Sequence, residues 1–228
     1  MGPDRPRLLS DLSVWIVAEL GIAPSDLSLY ERALTHGSHG AQTYERLEFL
    51  GDRVLGLVMA TWLYEHYPDE PEGKLSFRFN SLVTGIACAN VGRAIGVTPH
   101  LRLGKQARDD GAFDSDNVLG DVTEALIGAL YLDHGMTTAE AFIRKHWAAM
   151  VKGQVAAPRH PKSALQEWAA AHNRRPPAYA VTDRSGPHHS PRFTVTVSLG
   201  SAGEASAEGG SKQEAETAAA AALLERLS

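Results

Sequence analysis

Tyr44-Glu45-Arg46-Leu47-Glu48-Phe49-Leu50-Gly51-Asp52 is the stretch whose periodicity sets the architecture. A helical residue turns about 100° from its predecessor, so Glu45, Glu48 and Asp52 fall within an arc of roughly 60°. Leu47, Leu50, Val54, Leu57 and Val58 take the opposite side. One face is acidic and the other apolar, the pattern of a helix packed on a core. The acidic stripe lacks the interleaved Lys and Arg that relieve repulsion on a solvated face. Phe49 lies between the two faces.

A second segment repeats the design. In Gly120-Asp121-Val122-Thr123-Glu124-Ala125-Leu126-Ile127-Gly128-Ala129-Leu130 the two acids are three residues apart, and Leu119, Leu126 and Leu130 point away from them. If the two stripes face each other, Glu48, Asp52, Asp121 and Glu124 converge. Such a cluster costs free energy unless protons or cations neutralise it. Hard oxygen donors favour Mg²⁺ or Mn²⁺ over zinc or copper. From the residues alone three readings stay open: two solvated helix faces, a divalent-cation site, or a carboxylate di-iron bundle. The last normally uses Glu-x-x-His pairs, and neither stripe has a histidine at that place.

Outward from these motifs, residues 8–152 have apolar positions at three- and four-residue spacing, which predicts helices over 11–19, 27–35, 44–67, 75–95, 117–132 and 138–150. Pro68 and Pro71 end the third. Gly135 is a helix stop, with Thr137 or Thr138 as the next cap. Residues 104–116 read as a polar loop, with Asp109, Asp110, Asp114 and Asp116 solvated and Lys105 and Arg108 available to phosphate. His36 is either a ligand or a structural histidine, and Asp133 reads as a hydrogen-bonding residue at a helix end.

The pattern changes after a Pro-containing linker at 153–161. Residues 162–172 predict a helix, 179–183 and 192–199 alternate as strands, and 204–208 are a third strand. Ser211 caps a final alanine-rich helix, with Glu214 at the capping-box position. The expected fold is an all-α domain followed by a small α+β domain (162–228) in the order α-β-β-β-α.

A chain of 228 residues suits one large domain or two smaller ones. Its 43% hydrophobic and 21% charged residues are an ordinary globular balance. The net charge of −5 argues against a simple nucleic-acid binder. The charge is uneven: residues 1–158 carry −6, and residues 159–228 carry +1 with four histidines. An acidic site still approaches phosphates if divalent cations fill it. Cys88 is the only cysteine, so no internal disulfide forms and a reducing cytosol fits. Ile86, Ala87 and Ala89 around it mark it as a buried small hydrophobe. Residues 1–10 carry no secretory pattern, and no run approaches about 18 apolar residues. A soluble cytoplasmic protein without a membrane span is expected.

The run Glu45-Arg46-Leu47-Glu48-Phe49-Leu50-Gly51-Asp52 resembles the signature of the ribonuclease III family. Ala33-Leu34-Thr35-His36, Glu72-Gly73-Lys74-Leu75-Ser76 and Asp121-Val122-Thr123-Glu124-Ala125-Leu126-Ile127-Gly128 match the same pattern in family order. Tyr44 stands where the family usually has Asn, and Gly37 where it usually has Arg. Neither position supplies a metal ligand in the family, so the departures are expected to alter surface and loop contacts.

The resemblance implies a homodimer whose subunits each line half of a catalytic valley. It implies Glu48, Asp52, Asp121 and Glu124 as ligands of Mg²⁺, with Mn²⁺ able to substitute. Asp52 and Glu124 carry the catalysis with Glu45, Glu72 is a supporting acid, and Phe49 inserts into a pocket of the partner subunit. It further implies hydrolysis of double-stranded RNA to 5′-phosphate and 3′-hydroxyl ends, with ribosomal precursor processing as the family's common task. A non-catalytic regulator that binds duplex RNA is the alternative, against which the four intact acids speak.

Residues 162–227 resemble a double-stranded-RNA-binding domain through Lys162-Ser163-Ala164-Leu165-Gln166-Glu167-Trp168, Pro177-x-Tyr179, the 186–193 loop, and Gly210-Ser211-Lys212-Gln213-Glu214-Ala215-Glu216. Duplex RNA offers phosphates and 2′-hydroxyls rather than base edges. The match implies that Gln166 and His189 meet the minor groove, and that Ser211 and Lys212 meet phosphate at a helix N-terminus. Gln213 replaces a usual basic residue and Ala207 a common glycine, so weak, salt-sensitive binding by the module is expected.

Overall fold

The computed structural model describes residues 11–154, 161–186 and 191–227, and the chain divides into two compact units, Met1–Ala157 and Pro158–Ser228. The first unit is helical. After a helical segment that ends in a π-helical turn, Ile16–Leu20, come α1 (Leu27–Ala33), α2 (Glu45–His66), α3 (Glu72–Leu82), α4 (Gly85–Ala94), the short α5 (Lys105–Asp109), α6 (Asp116–His134) and α7 (Met136–Gly153).

The core explains the order. α6 is apolar almost all round: Val118, Leu119, Val122, Ala125, Leu126, Ile127, Ala129 and Leu130 are all buried. A helix apolar on every side belongs in the centre, and α1, α2, α4 and α7 pack around it. α2 presents Leu47, Val54, Leu55, Val58, Met59 and Leu63 to this core. Leu57 departs from the expected apolar face, since it is 58% exposed. At 100° per residue Leu57 falls beyond the edge of the face that Leu47, Val54, Leu55, Val58 and Met59 share, so it lies outside the contact with the core.

The expected single helix over 75–95 is two helices. Thr84 takes an extended conformation and its side chain accepts the Ala87 amide, capping α4. Cap chemistry outweighs apolar periodicity at that point. The expected loop at 104–116 contains α5 and a 3₁₀ turn, Ala112–Asp114. Asp114 and Asp116 are not simply solvated, because Arg93 pairs with both, at 3.2 and 2.7 Å. Neither Thr137 nor Thr138 caps α7; Gly135, at φ 79°, occupies that position. A left-handed backbone suits glycine.

Two hydrogen-bonding hubs pin the helices. Asp133 accepts the Ser25 and Asp26 amides and the Tyr30 hydroxyl, tying α1 to the end of α6. Arg78, buried, forks onto Glu70 at 2.7 and 2.8 Å, donates to the Gln154 carbonyl at 2.7 Å and lies over the Tyr67 ring. Its bidentate geometry satisfies a buried charge at the end of α7. Nothing in the spacing of Glu70, Arg78 and Gln154 announces that hub.

The second unit comprises α8 (Pro161–Ala171), β1 (Ala178–Ser185), β2 (Arg192–Ser198), β3 (Glu204–Gly209) and α9 (Lys212–Leu227). The strands form one antiparallel sheet in the order β1-β2-β3, with a register irregularity between Val181 and Asp183. Leu165, Ala169, Val197, Leu199, Ala205, Ala219, Ala220 and Leu223 form its core. Small alanines let α9 lie close on the sheet. This is the α-β-β-β-α order that the sequence predicts. Among the described residues no helix is long and apolar enough to cross a membrane.

Candidate active site

Glycines bring the two acidic helices together. A Cβ built on Gly51 collides with the Glu124 carbonyl, and one on Gly128 with the Leu47 carbonyl. α2 and α6 therefore cross backbone to backbone, at the level of Glu48 and Asp52 on one helix and Glu124 on the other. A second close crossing holds α4 on α6. A Cβ at Gly92 would stand 2.6 Å from Thr123 Oγ1, and one at Gly120 would stand 2.8 Å from the Gly85 carbonyl.

These crossings put negative charge on a buried helix. Burial raises the Glu124 carboxyl to about 7, with Glu48 and Asp121 adding to the effect while the Cys88 thiol opposes it. Glu48 is raised by burial and by Asp121 and Glu45. Asp121 is raised by burial, against the hydrogen bond from Tyr44. Three of the four predicted ligands thus feel one another through a poorly hydrated environment.

Three of the four carboxylates have a side-chain partner within the chain. The Tyr44 hydroxyl donates to Asp121 Oδ2 at 3.1 Å, and Cys88 Sγ lies 3.6 Å from Glu124 Oε1. Asp52 pairs with the neighbouring Arg53, whose guanidinium also lies over the Phe49 ring. Among the described residues no three His, Cys, Asp or Glu side chains are gathered into a group that could hold a metal ion. The backbones supply the proximity, while the side-chain orientations are those of intramolecular partners. The donor set is nonetheless suited to a hard cation: carboxylate oxygens, mutually repelling, with Arg53 as the only cation among the groups acting on Glu124.

The remaining predicted residues are spread around this centre. Glu45 is exposed on the first turn of α2, and a Cβ at Gly37 would lie 3.4 Å from its Oε1. His36 bonds Ser38 Oγ at 2.8 Å and stands beside the Tyr44 ring. Glu72 is not with the four acids: it accepts from Ser76 Oγ and lines a groove with Ala60, Leu63 and Tyr64. Ala60 is roughly 12 Å along the helix axis from Asp52. Phe49 is 66% exposed and edges a groove that includes Arg32, Leu50 and Leu132. Sequence reasoning missed Tyr44 and Cys88. Tyr44 stands out only as a departure from the family pattern, and Cys88 only as an apolar filler, which its full burial agrees with.

In the second unit, Gln166 is exposed on α8, whose Leu165 and Ala169 are buried. Ser211 Oγ accepts the Glu214 amide, the first half of a capping box, while the Glu214 carboxylate accepts the Gly210 amide, one residue before the cap, at the start of α9. Lys212 is exposed at that start. Lys162 is half-buried against Glu216 at 2.5 Å and lies over the Tyr179 ring. His189 lies outside the described residues.

Comparison with known proteins agrees with this division. A ribonuclease-III-like family model matches residues 26–150, and a double-stranded RNA binding motif matches residues 161–227. Ribonuclease 3 of Zymomonas mobilis subsp. mobilis is 63% identical over 213 residues, covering 93% of this chain and 87% of that protein. Ribonuclease 3 of Dinoroseobacter shibae is 48% identical over 199 residues, covering 86% and 87%. The helical unit is similar to the nuclease domain of ribonuclease III from Campylobacter jejuni, at 29% identity and a TM-score of 0.57, covering 59% of this chain and 97% of that one. With these matches running along most of its length, the chain belongs to the ribonuclease III family.

Proposed function

We propose that this protein is an endoribonuclease that hydrolyses phosphodiester bonds of double-stranded RNA, leaving 5′-phosphate and 3′-hydroxyl ends. One observation carries the proposal: carboxylates coupled across the α2–α6 crossing, in a chain that also bears a double-stranded-RNA-binding motif. Family membership favours this over a non-catalytic regulator or a di-iron oxidoreductase.

The family depends on divalent metal ions, and Mg²⁺ is the proposed cofactor, with Mn²⁺ as a substitute. Glu48, Asp52, Asp121 and Glu124 would hold it. When bound, such an ion neutralises phosphate charge and provides an activated water. The chain's own groups do the rest. Glu124 and Asp121, on the rigid central helix, hold their positions relative to the phosphate. Asp52 and Glu48 close the cluster from α2, and Glu45 guards its outer side. Glu72, set apart on α3, is assigned to RNA rather than to the ion.

A homodimer is proposed from the exposed Phe49 and the groove beside it. Each subunit carries both the protruding ring and the recess, as an isologous contact requires. The catalytic unit is assigned to residues 8–152, a linker to 153–161 and the RNA-binding unit to 162–228. Gln166, Ser211, Lys212 and His189 are its proposed RNA contacts. Ribosomal precursors in the cytoplasm are the proposed substrates.

The test is incubation with a labelled RNA duplex, a single strand and duplex DNA, each with Mg²⁺ and with EDTA. Cleavage of the RNA duplex with Mg²⁺ alone is expected. An intact duplex, or equal cleavage in EDTA, overturns the proposal.

A further inference from the structure

The two carboxylates of α6 each receive one hydrogen-bond donor, and the two donors come from different elements. Tyr44 precedes α2 and Cys88 lies on α4. Both side chains are buried. We propose that Tyr44 and Cys88 are positioning residues: each anchors one oxygen of Asp121 or Glu124, so that a divalent cation gathering the cluster meets two carboxylates already restrained on α6. The inference rests on the ligand set proposed above.

The backbone at both donors is fixed. The Tyr44 amide donates to the Thr35 carbonyl at 2.9 Å, and its carbonyl accepts the Leu47 and Glu48 amides at 2.8 and 2.9 Å. The ring is enclosed, so the hydroxyl has little freedom to leave Asp121 Oδ2. Cys88 lies on the side of α4 that Gly85 and Gly92 share, three residues after one and four before the other. Gly85 abuts Gly120 and Gly92 abuts Thr123. The closest approach of α4 to α6 therefore brackets the thiol and aims it at Glu124.

The chemical type of the donors fits the task. A Lys or Arg at either place would neutralise the carboxylate and compete with a cation. A hydroxyl and a thiol donate without adding charge. Each engages one carboxylate oxygen and leaves the other for the ion. Partners of this kind, behind the ligands themselves, set ligand orientation in metal sites.

The experiment is calorimetric titration of Mn²⁺ into the full-length protein without RNA, with melting curves in EDTA to confirm folding. Tyr44→Phe keeps the ring and removes the donor, so its Mn²⁺ affinity is expected to fall about 10-fold with the EDTA melt unchanged. Cys88→Ala is expected to fall less, because a thiol is a weak donor, and Cys88→Ser is expected to recover the loss. Wild-type affinity in Tyr44→Phe, or a Cys88→Ser no better than Cys88→Ala, overturns the role of the residue concerned. Asp121→Asn separates the two levels. If it loses Mn²⁺ while Tyr44→Phe does not, the positioning role fails and the ligand set stands. If it titrates like the wild type, both fail.

Discussion

The two units handle polar chemistry in opposite ways. In the helical unit two of the proposed ligands, Asp121 and Glu124, sit on the buried central helix α6, and two, Glu48 and Asp52, on α2, brought near because glycines let the two helices touch. In the C-terminal unit Gln166, Ser211 and Lys212 stand exposed at helix surfaces and starts, with small alanines packed behind them. The first arrangement depends on interhelical geometry and tolerates no added atom. The second is a set of separate exposed side chains, proposed above as RNA contacts, each removable at small cost to the fold.

The contrast is broken most severely at Gly51. A methyl there collides with the Glu124 backbone, so Gly51→Ala must drive α2 and α6 apart. Overpacking ordinarily costs about 1–3 kcal/mol, and a clash with backbone falls at or above the upper end. A large drop in melting temperature together with loss of cleavage is expected. A wild-type melt would show that the crossing is not close.

Glu124→Gln should separate chemistry from binding. It removes a charge and keeps the shape, so cleavage is expected to fall by a factor on the order of 10²–10³, the scale for losing one group that stabilises charge in a transition state. Gel-shift affinity for a duplex should stay near the wild-type value. Full cleavage by this variant would remove Glu124 from the site.

Acidity sharpens the same point. Glu124 is raised to about 7 from an ordinary 4.5, and Glu48 and Asp121 are raised too. The unfolded chain releases these protons earlier than the folded one, so folded stability in EDTA declines as pH rises through the window from 4.5 to about 7. Melts of the wild type against Glu124→Gln across that window should show the variant gaining relative stability with pH, and Mg²⁺ should close the gap. A constant difference would contradict the coupled cluster.

The smallest effect belongs to the exposed edge. Lys212→Ala should leave the melt unchanged and lower by about 1 the slope of log affinity against log salt. An unchanged slope would take Lys212 off the phosphate.

Much of this was legible from the residues. The Ser211 cap on the Glu214 amide is a local signal, and local signals survive folding. The acidic stripes were visible because helical spacing fixes which residues share a face. The break at Thr84 was not, since apolar periodicity runs straight through it. The resemblance implies Glu72 as a supporting acid, yet its distance from the four others depends on where α3 lies against α2.

Sequence by itself determined most of the helical and strand segments, the two-unit order and the acidic stripes, because each depends on spacing and residue type along the chain. Only the tertiary structure decided that Glu48 feels Asp121, that Tyr44 and Cys88 face α6, and that Arg53 engages Asp52. The physical reason is distance. Asp121 lies 77 residues from Tyr44 and Glu124 lies 36 from Cys88. No periodicity relates such positions until glycine-lined crossings bring the helices together.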